Sequence, residues 1–100
     1  MDIGRVVGTI VATRKDETLV GSKLLVVQPL DLAQNPAGGA RVMVDTVGAG
    51  IGETVIYASG HAARNAAKKR DAAIDAAVVG IVDSCEISPE WAASGKAGKR

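Results

Sequence analysis

Phenylalanine is absent from this chain of 100 residues, and tryptophan, tyrosine, cysteine and histidine occur once each. Each scarcity rules something out. Tyr57 and Trp91 are the only aromatic residues and the formal net charge is +1. The chain therefore has neither the stacking platform nor the basic field that holds single-stranded nucleic acid, and no nucleic-acid partner is expected. Cys85 alone cannot close an intramolecular disulfide, which fits a reducing cytosol. His61, with that cysteine 24 positions later, lacks the paired spacing of metal ligands, so no metal is expected. No apolar stretch reaches the ~18 residues of a membrane-spanning helix. The opening Met1-Asp2-Ile3-Gly4-Arg5 lacks the charged-then-apolar layout of a signal peptide, so no membrane partner is expected either.

What is present is ordinary in proportion, with 47% hydrophobic and 23% charged residues. It is unusual in kind, because the apolar content is mostly alanine and valine. A chain of this length forms one domain with a modest core. Small side chains make that core thin and tight, and they also suit close packing between subunits.

The alternation of side chains marks five strands. The first covers residues 3–13, with a small, apolar even face of Gly4, Val6, Gly8, Ile10 and Ala12 directed to the core; Gly4 and Gly8 suggest bends or close backbone approach. Arg14-Lys15-Asp16-Glu17 reads as a solvated hairpin tip. The second strand, Lys23 to Leu30, is apolar on both faces, which implies a closed barrel with partner subunits packed outside it. Asp31 to Gly39 is a loop. Arg41 to Asp45 and Thr54 to Ala58 are strands three and four. A helix is expected from His61 to Arg70, with Ser59 as its N-cap and Lys68, Lys69 and Arg70 at its end. The fifth strand is expected over Ala76 to Ile87, with Cys85 buried on the face of Val79 and Ile81. The domain is expected over residues 1–88, and residues 89–100 read as a flexible basic tail. The fold class is thus all-β, a small five-stranded OB-like barrel with one short helix between strands four and five.

Between strands three and four, Gly48, Gly50 and Gly52 fall at every second position. A phosphate cradle would need a different spacing and a following helix, whereas here a strand follows. A tight loop is the reading, with glycine supplying positive φ and room for close approach. A loop so bare can also crowd against its own copies around a symmetry axis. No catalytic or cofactor-binding residues emerge. Ser59 does not face His61, and Asp71 and Asp75, beside Lys69 and Arg70, read as a solvated face. The chain is not expected to be an enzyme. An OB-like nucleic-acid or ligand-binding module is the alternative.

The run Val44-Asp45-Thr46-Val47-Gly48-Ala49-Gly50-Ile51-Gly52-Glu53-Thr54-Val55, followed by Ser59-Gly60-His61-Ala62-Ala63-Arg64, resembles the core motif of the bacterial microcompartment vertex proteins of the EutN/CcmL type. Residues 3–15, 19–30 and 75–83 resemble other parts of the same family, in order. The resemblance implies a structural protein that forms a pentameric cap at the vertices of a shell enclosing enzymes, of the carboxysome or metabolosome kind. The expected partners are four copies of itself and the hexameric shell proteins, with no cofactor, in the cytoplasm of a bacterium. It also implies that Thr46, Val47, Gly48, Ala49, Gly50, Ile51, Gly52 and Glu53 crowd the five-fold axis. Arg5, Val7, Thr9 and Val11 of the first strand, with Ser59, Ala62, Ala63 and Arg64, would contribute to subunit contacts. Residues 65–71 are longer and more basic than the family pattern, and no family role attaches to the tail beyond Ile87.

Overall fold

The computed structural model describes residues 1–12, 16–19, 21–68 and 74–93. Thr13, Arg14 and Lys15 of the expected first strand and tip, Lys69, Arg70 and Asp71, and residues 94–100 lie outside the described residues. Strand β1 runs Asp2–Ile10, β2 Lys23–Leu30, β3 Arg41–Asp45, β4 Thr54–Ser59 and β5 Ala76–Ile81. Helix α1, Gly60–Ala66, separates β4 from β5, and a short α2, Pro89–Ala93, follows. The strands close into a barrel in the order β1-β2-β3-β5-β4. All pairings are antiparallel except β3 with β5, where Val44 faces Ala77 and Asp45 faces Val78.

The barrel interior holds Val6, Leu25, Val27, Met43, Val55, Tyr57, Ala76 and Val78, all buried. Closure is tight at Gly4. A Cβ there would lie 2.5 Å from Val27 Cγ1 and 3.0 Å from the Gln28 carbonyl oxygen. No side chain fits without displacing β2. Gly8 is different, since its added Cβ would make only ordinary contact with Val26 at 3.6 Å.

A second apolar cluster lies outside the barrel. Leu24, Val44 and Ala77 stand side by side across β2, β3 and β5, roofed by Ala63 of α1 and by Ile74. A helix of seven residues is not stable alone, so burial of this face holds α1 in place. Fully burying a Leu or Ile side chain stabilises by about 1.5–3 kcal/mol. This cluster narrows one expectation: on the outer faces of β2 and β5, Leu24 and Ala77 are covered from within the chain, while Val26 of β2 stays partly exposed.

Three boundaries also differ. β1 ends at Ile10, which pairs with Leu24 next to the start of β2, and a bulge at Val7 shifts the register between Val6 and Gly8. Beyond it the even face leaves the core, and Ile10 is exposed. β5 ends at Ile81, not at residue 87. Val82 N–H still donates to the Thr54 carbonyl, but Thr54 is the first residue of β4 and the described residues offer no further partner strand. Cys85, expected to be buried in that strand, is exposed beyond its end. α1 stops at Ala66, and Lys68 follows it with φ 59°. Ser59 occupies the N-cap position, yet its side chain makes no capping hydrogen bond.

At the approach to β2, Asp16 accepts from Thr18 Oγ1 at 2.6 Å and from Thr18 N–H at 2.8 Å. These two hydrogen bonds, the hydroxyl first, hold the Asp16 carboxyl below its ordinary range.

Candidate assembly site

The glycine loop is held by its ends and by its middle. Asp45 closes β3, and its Oδ1 accepts from Val47 N–H at 3.0 Å and Gly48 N–H at 3.1 Å, an Asx turn. Its other carboxylate oxygen lies 3.7 Å from Lys23 Nζ, and that ammonium donates to the Ala49 carbonyl at 3.0 Å. Thr46 Oγ1 donates to the Val78 carbonyl at 2.7 Å, binding the loop to β5. Ala49 is fully buried and turns its methyl group into the barrel core.

The second half of the loop rests on β1. Gly52 N–H donates to the Val6 carbonyl at 2.8 Å, and Val6 N–H donates to the Glu53 carbonyl at 3.0 Å. Glu53 N–H returns to the Gly50 carbonyl at 3.1 Å, closing a turn with Ile51 and Gly52 at its tip. Gly50 N–H donates to Glu53 Oε1 at 2.6 Å. Gly48 at φ 78° and Gly52 at φ 92° occupy the left-handed region, where glycine is favoured. Gly50 does not, and an added Cβ would meet only Glu53 Oε1, at 3.4 Å. The loop is therefore a rigid platform. Val47, at 40% exposure, and Ile51, at 66%, are its large apolar side chains left in the open.

The other residues singled out in the sequence divide. On β1, Val7 is raised by the bulge and half exposed, Thr9 is exposed, and Val11 just past the strand is 91% exposed. Arg5 is half-buried and reaches Gln34 Oε1 at 3.5 Å. Ser59 and Ala62 are exposed, but Ala63 is fully buried in its own subunit's second cluster. Arg64 donates to the Ile74 carbonyl at 3.3 Å, tying α1 to the entry of β5. Sequence reasoning missed Val42, half exposed on β3. Register places it in line with Val26 and Gly8, so an outward apolar stripe crosses β1, β2 and β3. It missed the support given by Lys23 as well; an aspartate opening a glycine run was the available signal for the Asx turn, but nothing local marked its distant cation.

Tyr57 is 3% exposed, inside the barrel with the Arg41 guanidinium 5.6 Å over its ring, so it offers no stacking surface. His61 is exposed at the start of α1. Among the described residues no three His, Cys, Asp or Glu side chains gather as a metal site, and no helix is long and apolar enough to cross a membrane.

A closed barrel in this strand order, with its helix between the last two strands, is an OB-like all-β domain, and its distinguishing feature is the rigid bare loop at one end. The family model for the ethanolamine utilisation protein EutN and carboxysome proteins matches residues 1–83, and the chain belongs to this EutN/CcmL family. It is 54% identical over 86 residues to the bacterial microcompartment shell vertex protein GrpN of Rhodospirillum rubrum strain F11, covering 86% of this chain and 97% of that protein. It is 41% identical over 87 residues to the carboxysome shell vertex protein CcmL of Gloeobacter violaceus, covering 87% of each. The solved structure of the pentameric microcompartment shell protein GrpN from Rhodospirillum rubrum superposes with a TM-score of 0.80 at 51% identity, over 88% of this chain and all of that one.

Proposed function

We propose that this chain is a structural shell protein, not an enzyme, and that it assembles as a homopentamer capping the vertices of a bacterial microcompartment. One observation carries the reading: the fold and half of the sequence are shared, over that protein's whole length, with a pentameric shell protein. The physical features agree with it. Val7, Val11 and Val42 give the outside of the barrel apolar surface beyond what α1 covers, and such surface commonly marks an interface. A ring of head-to-tail contacts uses that surface without leaving an open end. In this reading the glycine loop, Thr46 to Glu53, faces the five-fold axis. β1 and the segment from Ser59 to Arg64 lie near subunit contacts, with Ala63 supporting them from inside. Hexameric shell proteins surround the cap, and the assembly resides in the bacterial cytoplasm.

Native mass spectrometry tests this directly. Five subunits of 10.2 kDa make about 51 kDa, against about 61 kDa for six. A mass of about 51 kDa at micromolar concentration is expected. A monomer or a dimer would overturn the vertex reading, since a two-fold contact cannot place one loop beside four copies of itself.

A further inference from the structure

The strands of the barrel do not hold one another equally. β2 pairs with β3 from Lys23 against Asp45 to Val27 against Arg41, and β4 pairs with β5 from Val55 against Ile81 to Ser59 against Ala76. β3 meets β5 only through Val44 with Ala77 and Asp45 with Val78, and in parallel, the less stable arrangement per residue. Past these pairs, Thr46 N–H and Thr46 Oγ1 both turn to one acceptor, the Val78 carbonyl, at 3.2 and 2.7 Å. Every other seam is longer, so this one is the weakest in backbone pairing. Side-chain burial reinforces it from outside. Val44 and Ala77, one from each side of the seam, share an apolar cluster with Leu24, Ile74 and the fully buried Ala63 of α1. α1 is also tied to the entry of β5. Gly60 N–H donates to the Asp75 carbonyl at 2.7 Å, and Arg64 to the Ile74 carbonyl at 3.3 Å. The first half of the glycine loop is attached to this seam through Thr46, whereas its second half is attached to β1 through Val6.

We propose that the β3–β5 seam is the joint of the barrel and α1 its clasp. When α1 lifts, the seam parts, and the Thr46 end of the loop is released from β5 while Gly52 and Glu53 stay on β1. The proposal needs only the fold of one chain and goes beyond the assembly reading, since it makes α1 a control on the loop. β1 lies opposite the seam in the strand order, so its ladders with β2 and β4 persist in the opened form. Local opening of this kind takes less free energy than global unfolding.

Native-state hydrogen exchange on the full chain tests this. The reporting amides are Thr46, bonded to Val78; Ala67, bonded to Ala63 at the end of α1; Val6, bonded to Glu53; and Gly52, bonded to Val6. Corrected for intrinsic rates, Thr46 should exchange at least about tenfold faster than Val6 and Gly52. Low urea should hasten Val6 and Gly52 more steeply, since they exchange only when the larger surface of global unfolding is exposed. Ala63→Gly removes the buried methyl group and weakens the helix, and it should raise Thr46 and Ala67 exchange together, about fivefold. Gly4→Ala strains β1 against β2, which stay paired in the opened form. It should hasten Val6 and Gly52 and leave Thr46 as it was. A Thr46 amide untouched by Ala63→Gly, with Ala67 quickened or not, overturns the clasp, because the loop then frays without α1. A Thr46 amide that follows Val6 through urea and both variants overturns the joint, because it then exchanges only when the whole subunit unfolds. Where Gly4→Ala does not fold, the urea slopes of the unaltered chain and Ala63→Gly still separate these outcomes.

Discussion

At the scale of single residues, the three kinds of glycine in this chain do different work, and substitution separates them. Gly4 is a packing glycine, because a Cβ would enter Val27 and the backbone of β2. Overpacking of this sort costs about 1–3 kcal/mol. Gly4→Ala should therefore lower the denaturation midpoint by that amount, measured on the folded subunit in urea. Gly48 and Gly52 are conformational glycines, at φ 78° and 92°. Gly50 is neither. Its backbone is open to any residue and its surroundings within the subunit are nearly empty. Gly50→Leu should leave the subunit folded and its unfolding transition unchanged, yet reduce the fraction assembled at about 51 kDa, because in the proposed ring the new side chain would meet its copies across the axis. Rings of undiminished mass and thermal stability would remove the loop from the axis. A subunit that fails to fold would show that Gly50 serves the turn itself.

At the scale of elements, legibility in the sequence depended on whether the determining partner was local. β2, β3 and the start of β4 were read to the residue, because alternation and turn residues are properties of the strand itself. The end of β5 was not. Val79, Ile81 and Cys85 continue a strand-like pattern, but pairing stops where β4 begins, 27 residues upstream of Ile81 at Thr54. The bulge at Val7 leaves no local mark either. The two-faced apolar character of β2 is legible from its residues, but not that Leu24 on its outer face is covered by α1 and Ile74 of the same chain while Val26 is left partly exposed. The glycine loop was legible at its positive-φ positions, while its anchoring by Lys23 and Val6 was not. The C-terminal segment follows the same logic. Trp91 of α2 lines a shallow apolar cleft with Leu32, Cys85 and Ile87, yet Leu32 remains half exposed there. Contact this incomplete contributes about 1 kcal/mol, or about 4–8 °C for a domain of this size. Deleting residues 89–100 should lower the melting temperature by no more than that and leave the native mass at five subunits. Loss of assembly would make Trp91 an anchor of the ring.

At the scale of the whole molecule, the barrel and the ring share their parts. β1 closes the barrel against β4, presents Val7 outward, and seats the glycine loop through Val6. The closing pairs are far apart in the chain, with Asp2 against Tyr57 and Arg5 against Thr54. Such non-local pairing places folding in the slow regime of small proteins, about milliseconds to seconds. Until Val6 meets Gly52 and Glu53, the loop that would face the axis has no fixed position. The fold thus enforces a sequence in time. A chain still emerging from the ribosome, with β1 and β2 made but β4 and β5 not, has no finished surface to offer another copy, so oligomerisation must follow release of the complete subunit and proceed as a step whose rate rises with concentration.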